Sequence, residues 1–165
     1  MVKEIATRQS IRKYTEQKVS EETLRELLKA AMRAPSAANR QSWRFIVVQD
    51  SKTLNDIKDF SPYTGFVKDA AAAIIVLGDL EATNETFAYV DTAAAIENIL
   101  LEGVELGLGT CWCAIGPNSE KIEKYRAYFK IPENRLPIAI ISIGYPNEAK
   151  PLQDRFDETK ITWWE

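Results

Sequence analysis

Histidine is absent from this 165-residue chain, and cysteine occurs only twice. Without histidine, the chain cannot form a Ser-His-Asp triad, a Cys-His pair or any metal site that needs imidazole. The two cysteines, Cys111 and Cys113, are separated by one residue, which is not the spacing of a disulfide framework. Two thiols alone also fall short of the ligand set of a structural zinc site, so we expect no metal. If the chain is an enzyme, a cofactor therefore carries its chemistry.

Long hydrophobic runs are also missing, because the longest, Ala70 to Leu77, is far too short to cross a bilayer. The first eight residues contain no apolar signal region. A net charge of only −3 gives no reason to expect nucleic acid or an anionic membrane as a partner. The composition, 45% hydrophobic and 27% charged, is that of ordinary globular proteins, so we expect a single domain over 1–165 in a cytoplasmic protein.

The apolar pattern predicts helices and strands that alternate along the chain. Ser20 is a suitable N-cap for a helix that buries Leu24 and Leu27, and Pro35 should end this helix before Ala34. The other predicted helices are a short one over 2–7, one capped by Asp50, a long one over 87–106 and one capped by Ser119. Buried strands are predicted at 43–48, at 72–77, where Gly78 should end the strand, and at 136–143, with a short strand or turn at 110–114.

This pattern fits an α+β or three-layer sandwich better than a doubly wound sheet. The long helix is apolar on most of its sides, which predicts a central helix or a dimer interface. The tail over 147–165 is polar but ends with Trp163 and Trp164. Two exposed tryptophans are unfavourable in a monomer, so we expect the tail to pack on a partner protomer.

Four groups of residues are candidates for binding. Arg8, Ser10 and Arg12 alternate, so in an extended segment they share a face that suits a phosphate or carboxylate; the plainer interpretation is a solvated charged edge. The loop with Ser36, Asn39 and Gln41 offers donors and acceptors for a heterocycle or polyol, although ordinary turn chemistry also explains it. Arg155 either adds a cation to a phosphate site or is an ordinary surface arginine. Cys111 and Cys113 could form a redox pair, but we prefer the interpretation that they are small buried residues of a strand.

Four motifs, in this order over nearly the whole chain, carry a resemblance. They are R-Q-S-I-R-K-Y, A-P-S-A-A-N-R-Q-S-W-R-F, D-T-A-A-A-I-E-N-I-L-L-E-G-V-E-L-G-L-G-T-C-W and I-S-I-G-Y-P. Together they resemble the FMN-dependent nitroreductase family. The resemblance implies a nitroreductase-like three-layer sandwich with a mostly antiparallel sheet flanked by helices, in an intertwined homodimer with FMN at the interface.

The resemblance also implies an activity. NADH or NADPH would reduce FMN, and a nitroaromatic, quinone or similar small molecule would accept the electrons in a ping-pong reaction through flavin N5. No side chain is expected to be catalytic, since the flavin performs the chemistry. The residues expected to bind the cofactor are Arg8, Gln9, Ser10, Arg12, Pro35, Ser36, Ala37, Asn39, Trp112, Cys113, Ala114 and Arg155. Of these, Pro35, Ser36, Ala37 and Asn39 would reach the flavin of the partner protomer.

The sequence differs from the family in its short interval before the long helix, where only 79–86 replaces a helical excursion. Tyr63 and Thr64 stand where many members have a flavin-contacting asparagine, so no contact is expected there. An exposed flavin makes a second function worth testing, namely FMN binding or storage, or redox sensing, with little turnover. The sequence does not identify the physiological acceptor or choose between NADH and NADPH, and it contains no motif that requires reductive dehalogenation or flavin-fragmenting chemistry. The plainest alternative is an interaction module that binds no flavin.

Overall fold

Two buried strands form the centre of the only sheet found in the computed structural model, which describes residues 1–164. Strand β2 (Ala72–Asp79) pairs antiparallel with β4 (Arg135–Gly144), and every residue of β2 is buried. Strand β1 (Trp43–Val48) is antiparallel to β2, and β3 (Gly109–Ala114) is antiparallel to β4. The order β1-β2-β4-β3 therefore places β1 and β3 at the two edges.

Helices cover both faces of this sheet because the central strands are apolar on both sides. Along β2, the side chains of Ala72, Ile74 and Val76 join the core that includes helices α2 (Glu21–Ala31) and α4 (Glu85–Glu105). The alternate residues of β2 face helices α3 (Ser51–Ile57) and α5 (Ser119–Phe129). A short helix α1 (Lys3–Thr7) contacts α4. The predicted α+β three-layer sandwich is confirmed.

Local capping signals explain where several helices begin. Ser20 accepts a hydrogen bond from the backbone N–H of Thr23, and Asp50 accepts one from that of Thr53, so both predicted caps are confirmed. The predicted cap of α5 was wrong by one residue, since Asn118 accepts from the Lys121 N–H and Ser119 is the first helical residue. Asparagine and serine are both common N-cap residues, and the backbone geometry places Asn118 at the cap position.

Two predictions about strands need correction. The strand over 43–48 is present but is not buried along its length: its ends are buried, whereas Val47 is 40% exposed because β1 lies at the edge. Gly78 lies inside β2 and does not end it. The segment over 110–114 is a full strand, so the strand predicted at 136–143 is the fourth.

Some large apolar side chains are left exposed on α4 and on the tail. On α4, Phe87 and Val90 are exposed while Ala94 and Leu101 are half-buried, and their spacing puts all four on one stripe of the helix. On the tail, Trp163 is 76% and Trp164 is 96% exposed; Glu165 lies outside the described residues. That the tail packs on a partner remains a prediction. No helix within residues 1–164 has the length and apolarity needed to cross a membrane.

Gly109 provides a test of how the N-terminal segment is seated on β3. A Cβ atom at this position would lie 2.6 Å from Cγ2 and 2.8 Å from Cβ of Ile11, so a substitution must move the Ile11 backbone. We expect Gly109→Ala to lower the free energy of unfolding by about 1–3 kcal/mol in urea denaturation. Gly65→Ala is the matched control, because a Cβ there meets nothing within 4 Å, and its effect should stay within about 0.5 kcal/mol. Equal effects of the two substitutions would contradict this account.

Candidate functional site

An extended N-terminal segment lies along the free edge of β3. Ser10 forms a parallel bridge with Thr110, and the Ile11 N–H donates to the Thr110 carbonyl at 2.9 Å. Tyr14 then bridges Pro146 after the end of β4, and its hydroxyl is bonded to Ser142 (2.6 Å) and to the Ile11 carbonyl (2.7 Å). Burial raises the pKa of Tyr14 far above its ordinary value, so this hydroxyl stays protonated. The segment is thus fixed to the sheet on both sides of Arg12.

The start of the C-terminal tail holds the same segment from the other side. Glu148 accepts hydrogen bonds from the backbone N–H groups of Arg12 (2.6 Å) and Lys13 (3.3 Å), and these bonds lower the pKa of the Glu148 carboxyl. Lys150 donates from Nζ to the Ser10 carbonyl at 2.6 Å, and Gln9 donates to the Lys150 carbonyl at 3.0 Å. The main chain on both sides of Arg12 therefore has little freedom.

Beside this segment is a cleft of about 660 Å³ at the β3 edge. Its walls come from the N-terminal segment, the loop over 62–66, the end of β3 and the start of α5. The lining residues are Arg12, Pro62, Tyr63, Gly65, Phe66, Trp112, Cys113, Ala114 and Lys121. Among these described lining residues, two are cationic, three are aromatic and none is acidic. Such a cleft suits a planar aromatic ligand that carries negative charge.

Both cations lie against aromatic rings of the loop. The Arg12 guanidinium lies over the Phe66 ring, 5.8 Å from its centroid, and the Lys121 ammonium lies 5.7 Å from the centroid of the Tyr63 ring. Lys121 also donates from Nζ to the Ala114 carbonyl at 3.3 Å. Cation–π contacts of this kind hold the two charges in position without neutralising them.

The two cysteines are two residues apart on β3, so their side chains are on the same face of the strand. Cys111 is buried, whereas Cys113 is half-buried and donates to the Tyr63 carbonyl at 3.6 Å. Hydrogen bonding with the Cys113 thiol lowers the pKa of Cys111 to about 7, and Arg12 contributes in the same direction. The same pairing, together with burial, raises the pKa of Cys113. Both cysteines are free thiols.

The cleft brings together four of the residues predicted from sequence, namely Arg12, Trp112, Cys113 and Ala114. Ser10 is next to them through its bridge to β3, and Gln9 is bonded to the tail. Arg8 is placed differently, because its guanidinium pairs with Glu97 of α4 at 3.6 Å. The two arginines of the motif therefore have different partners in the single chain.

The loop over 34–45 lies outside the cleft and is pinned to α4. The Ala37 N–H and the Ser42 hydroxyl each donate to the buried Asp91 carboxylate at 2.8 Å. Between these two anchors, Ala38, Asn39 and Gln41 all adopt positive φ values, between 50° and 55°, which are unfavourable for residues with a Cβ. Asp91 thus holds a strained loop in one shape. Pro35, Asn39 and Arg155 are exposed, and Ser36 and Ala37 are half-buried.

The structure adds lining residues that the sequence did not indicate. Tyr63 and Phe66 belong to a segment whose sequence is typical of an ordinary turn. Lys121 has the sequence surroundings of any lysine on the polar face of a helix. Their role depends on three separate segments meeting at β3, for which no local signal exists. Asp91 was missed too, although it falls between Ala88 and Ala95 on the buried face of α4, where a carboxylate needs hydrogen-bond partners.

The residues present fit FMN. The ring system of a flavin is planar and aromatic, its phosphate is anionic, and its reduction adds negative charge at the N1–O2 edge. The cleft offers aromatic walls, the Arg12 cation and the main chain over 112–114, without a competing carboxylate among the described lining residues. The loop over 34–45 and the Arg8 and Arg155 side chains do not line this cleft within one chain.

Asp91 allows the pinning of the loop to be tested. Replacing it by alanine leaves the Ala37 N–H and the Ser42 hydroxyl without their acceptor while the loop keeps its unfavourable φ values. We expect Asp91→Ala to lower the free energy of unfolding by about 3–5 kcal/mol, measured by urea denaturation. Asp91→Asn has the same shape and keeps an acceptor for Ala37, so its cost should be only about 1 kcal/mol. Similar values for the two variants would argue against pinning by the carboxylate.

Comparison with known proteins identifies the family of this chain. The model of the family described as "Nitroreductase family" matches residues 5–62 and 61–145. A protein of Methanothermobacter thermautotrophicus named "Putative NADH dehydrogenase/NAD(P)H nitroreductase" is 41% identical over 158 residues, which cover 95% of this chain and 83% of the relative. The solved structure of an FMN-dependent nitroreductase from Clostridium difficile is 32% identical with a TM-score of 0.91, covering 99% of this chain and 98% of that one.

A second solved structure, from Desulfovibrio desulfuricans, is described as "a putative nitroreductase in complex with fmn". It is 30% identical with a TM-score of 0.85, and the match covers 98% of this chain and 95% of that one. The family match spans most of the chain, and these relatives are matched over 83–98% of their length. The chain therefore belongs to the nitroreductase family.

Proposed function

We propose that this protein is an FMN-dependent oxidoreductase that uses NADH or NADPH to reduce a small aromatic or quinoid acceptor. Nitroreductase-type oxidoreduction is what membership of the family implies in general. The observation that supports the proposal for this chain is the cleft at the β3 edge, with Arg12, aromatic walls and the 112–114 main chain. When bound, FMN accepts a hydride from the nicotinamide and passes electrons to the acceptor.

The chain's own residues then have to bind and orient the flavin. Arg12 supplies a fixed positive charge for the N1–O2 edge, where reduction develops negative charge. The main chain of Cys113 and Ala114 would hold the reactive edge, and Gln9 and Ser10 would complete the segment that holds the pyrimidine side. No histidine or other side-chain acid or base is required, which agrees with the composition of the chain.

The phosphate group of FMN needs cations other than Arg12, which is assigned to the flavin ring. We assign it to Arg8 and Arg155, which follow the family's motif positions, although neither side chain lines the cleft of one chain. Arg8 lies close by in sequence and is paired with the partly exposed Glu97, which it can exchange for a phosphate. Pro35, Ser36, Ala37 and Asn39 would come from the partner protomer, so a complete site requires two chains.

A homodimer is the arrangement that the exposed apolar surface supports. Phe87, Val90 and Ala94 form an apolar patch near the start of α4, Leu101 extends it beyond Glu97, and the patch lies on the helix to which Asp91 fastens the loop over 34–45. Pairing two α4 helices would cover the stripe and carry each loop towards the other chain. The exposed tryptophans of the tail would be covered in the same way.

The acceptor side is expected to be open. Strand β2 ends at Asp79 and α4 begins at Glu85, so only residues 80–84 connect them and no extra helix covers the cleft. A small nitroaromatic or quinone can reach an open flavin face. An open face is also what a storage or sensing protein would show, so turnover has to be measured.

The function is tested by anaerobic titration of the purified protein with NADH and NADPH. We expect a flavin absorption spectrum before titration, bleaching of the 450 nm band by at least one dinucleotide, and recovery of the band when a quinone such as menadione is added. Bound FMN that neither dinucleotide bleaches would refute the oxidoreductase and leave the storage or sensing function. A colourless protein that does not bind added FMN would refute both.

Charge variants serve as the controls of this titration. Arg8→Ala and Arg12→Ala should each raise the Kd for FMN by about tenfold or more, because each removes a charge-assisted contact. Arg25→Ala removes an exposed arginine that is paired with Glu21 on α2, and it should leave the Kd unchanged. If Arg8→Ala behaves like Arg25→Ala, Arg8 has no role at the phosphate.

The dimer is tested by placing a charge on the α4 stripe. We expect wild-type protein to sediment as a dimer and Val90→Glu to raise the dimer dissociation constant by about 100-fold or more, because an unpaired carboxylate would be buried in the interface. Ala127→Glu adds the same charge to an exposed position of α5 and should not change the sedimentation. A wild-type monomer that holds a full complement of FMN would contradict the two-chain site.

A further inference from the structure

We propose that Lys121 determines acceptor specificity, by binding an anionic group such as a carboxylate or sulfonate on an aromatic or quinoid acceptor. This inference rests on the proposed function and adds a substrate class to it. Two cations line the cleft, and Arg12 is already assigned to the flavin. Lys121 is the second, and its ammonium is bonded to the Ala114 carbonyl, next to the main chain assigned to the reactive edge of the flavin.

The ammonium of Lys121 has capacity left for a ligand. A lysine has three donors, and Lys121 uses one of them, at 3.3 Å, for the Ala114 carbonyl. Within residues 1–164, no carboxylate lies within 4.0 Å of it. By contrast, Lys124 on the next turn of α5 pairs with Glu120 at 2.8 Å. Because Lys121 is half-buried and its charge is not neutralised, an anion entering the cleft gains an ion pair at this point.

Tyr63 makes the site selective for anions that carry a ring. Its side chain is 73% exposed, and its ring is the surface over which the Lys121 ammonium lies, at 5.7 Å. The exposed ring of Tyr63 provides a flat apolar surface beside the charge, which suits an aromatic body with an anionic substituent. A simple inorganic anion would interact only with the Lys121 ammonium, and a neutral aromatic ring would interact only with the Tyr63 ring.

The main chain of both residues is anchored beside β3. Lys121 is the third residue of α5, and its backbone N–H donates to the side-chain oxygen of the N-cap Asn118. The Tyr63 carbonyl accepts from the Cys113 thiol, so the loop and the strand are connected at the same place. Lys121, Tyr63 and the 113–114 main chain therefore form one corner of the cleft, contributed by three elements.

The test compares two isosteric acceptors, 4-nitrobenzoate and 4-nitrobenzamide, with the FMN-loaded enzyme. The kcat/KM for the benzoate divided by that for the benzamide should fall about fivefold in Lys121→Met, mainly because the KM of the benzoate rises. The ratio should fall further in Lys121→Glu and be restored in Lys121→Arg. Lys124→Met is the matched control, since it removes a paired lysine from the same helix, and it should leave the ratio unchanged.

A second measurement is independent of turnover. Calorimetry with benzoate and benzamide, neither of which can accept electrons here, should show that only benzoate loses affinity in Lys121→Met, again by about fivefold. A benzoate affinity that is the same in wild type and Lys121→Met would overturn the inference. So would a kcat/KM ratio that does not respond to any substitution at Lys121.

The dinucleotide and the FMN phosphate also carry negative charge, so the Kd of FMN should be the same in Lys121→Met and wild type; a raised Kd would assign the ammonium to the flavin phosphate and overturn the inference. If Lys121→Met lowers kcat/KM for NADPH relative to NADH and leaves the acceptor ratio unchanged, the ammonium serves the 2′-phosphate and the acceptor inference is wrong. Reduction of 4-nitrobenzamide without preference for the benzoate would refute the inference while the proposed function stands. If neither dinucleotide reduces bound FMN, the proposed function fails, and calorimetry alone decides whether Lys121 binds aromatic anions.

Discussion

The antiparallel pairing of β2 with β4 is the constraint on which the rest of the structure depends. Because both strands are apolar on both faces, helices must cover the sheet from two sides, and α4 with α2 and α3 with α5 do so. The shorter and less buried β1 and β3 are then left at the edges. An edge strand has unpaired main-chain groups, and at β3 the N-terminal segment uses only the first of them. The end of β3 remains free to form the floor of a cleft.

As the proposed flavin site, the cleft would let a chain without histidine support redox chemistry. Its walls supply charge, flat apolar surface and main chain in fixed positions, while the reaction itself belongs to the cofactor. The positions are fixed by hydrogen bonds outside the cleft lining, such as those that the backbone N–H groups of Arg12 and Lys13 donate to the Glu148 carboxylate. Electrostatic placement of this kind needs rigidity more than it needs reactive side chains.

Much of the fold could be predicted from the sequence because its signals are local. The caps Ser20 and Asp50, the break at Pro35 and the apolar runs of β2 and β4 each act within a few residues. The half-exposed state of β1 could not be predicted, since burial depends on strand order, which no single run of residues encodes. Part of the cleft lining, namely Trp112, Cys113 and Ala114, lies in one contiguous motif that the sequence analysis had singled out; that these residues bind the cofactor stays a prediction. Tyr63 and Lys121 meet only through tertiary packing, and their sequence surroundings are unremarkable.

The bond between Asp91 and the loop over 34–45 has a consequence for how cofactor binding responds to concentration. Asp91 is one residue from Val90, so the loop is attached to the same turn of α4 that carries the exposed stripe. In a dimer built on that stripe, formation of the interface and completion of the flavin site would be one thermodynamic event. Cofactor and subunit association would then be linked equilibria: dilution would release FMN, and FMN would favour the dimer by mass action.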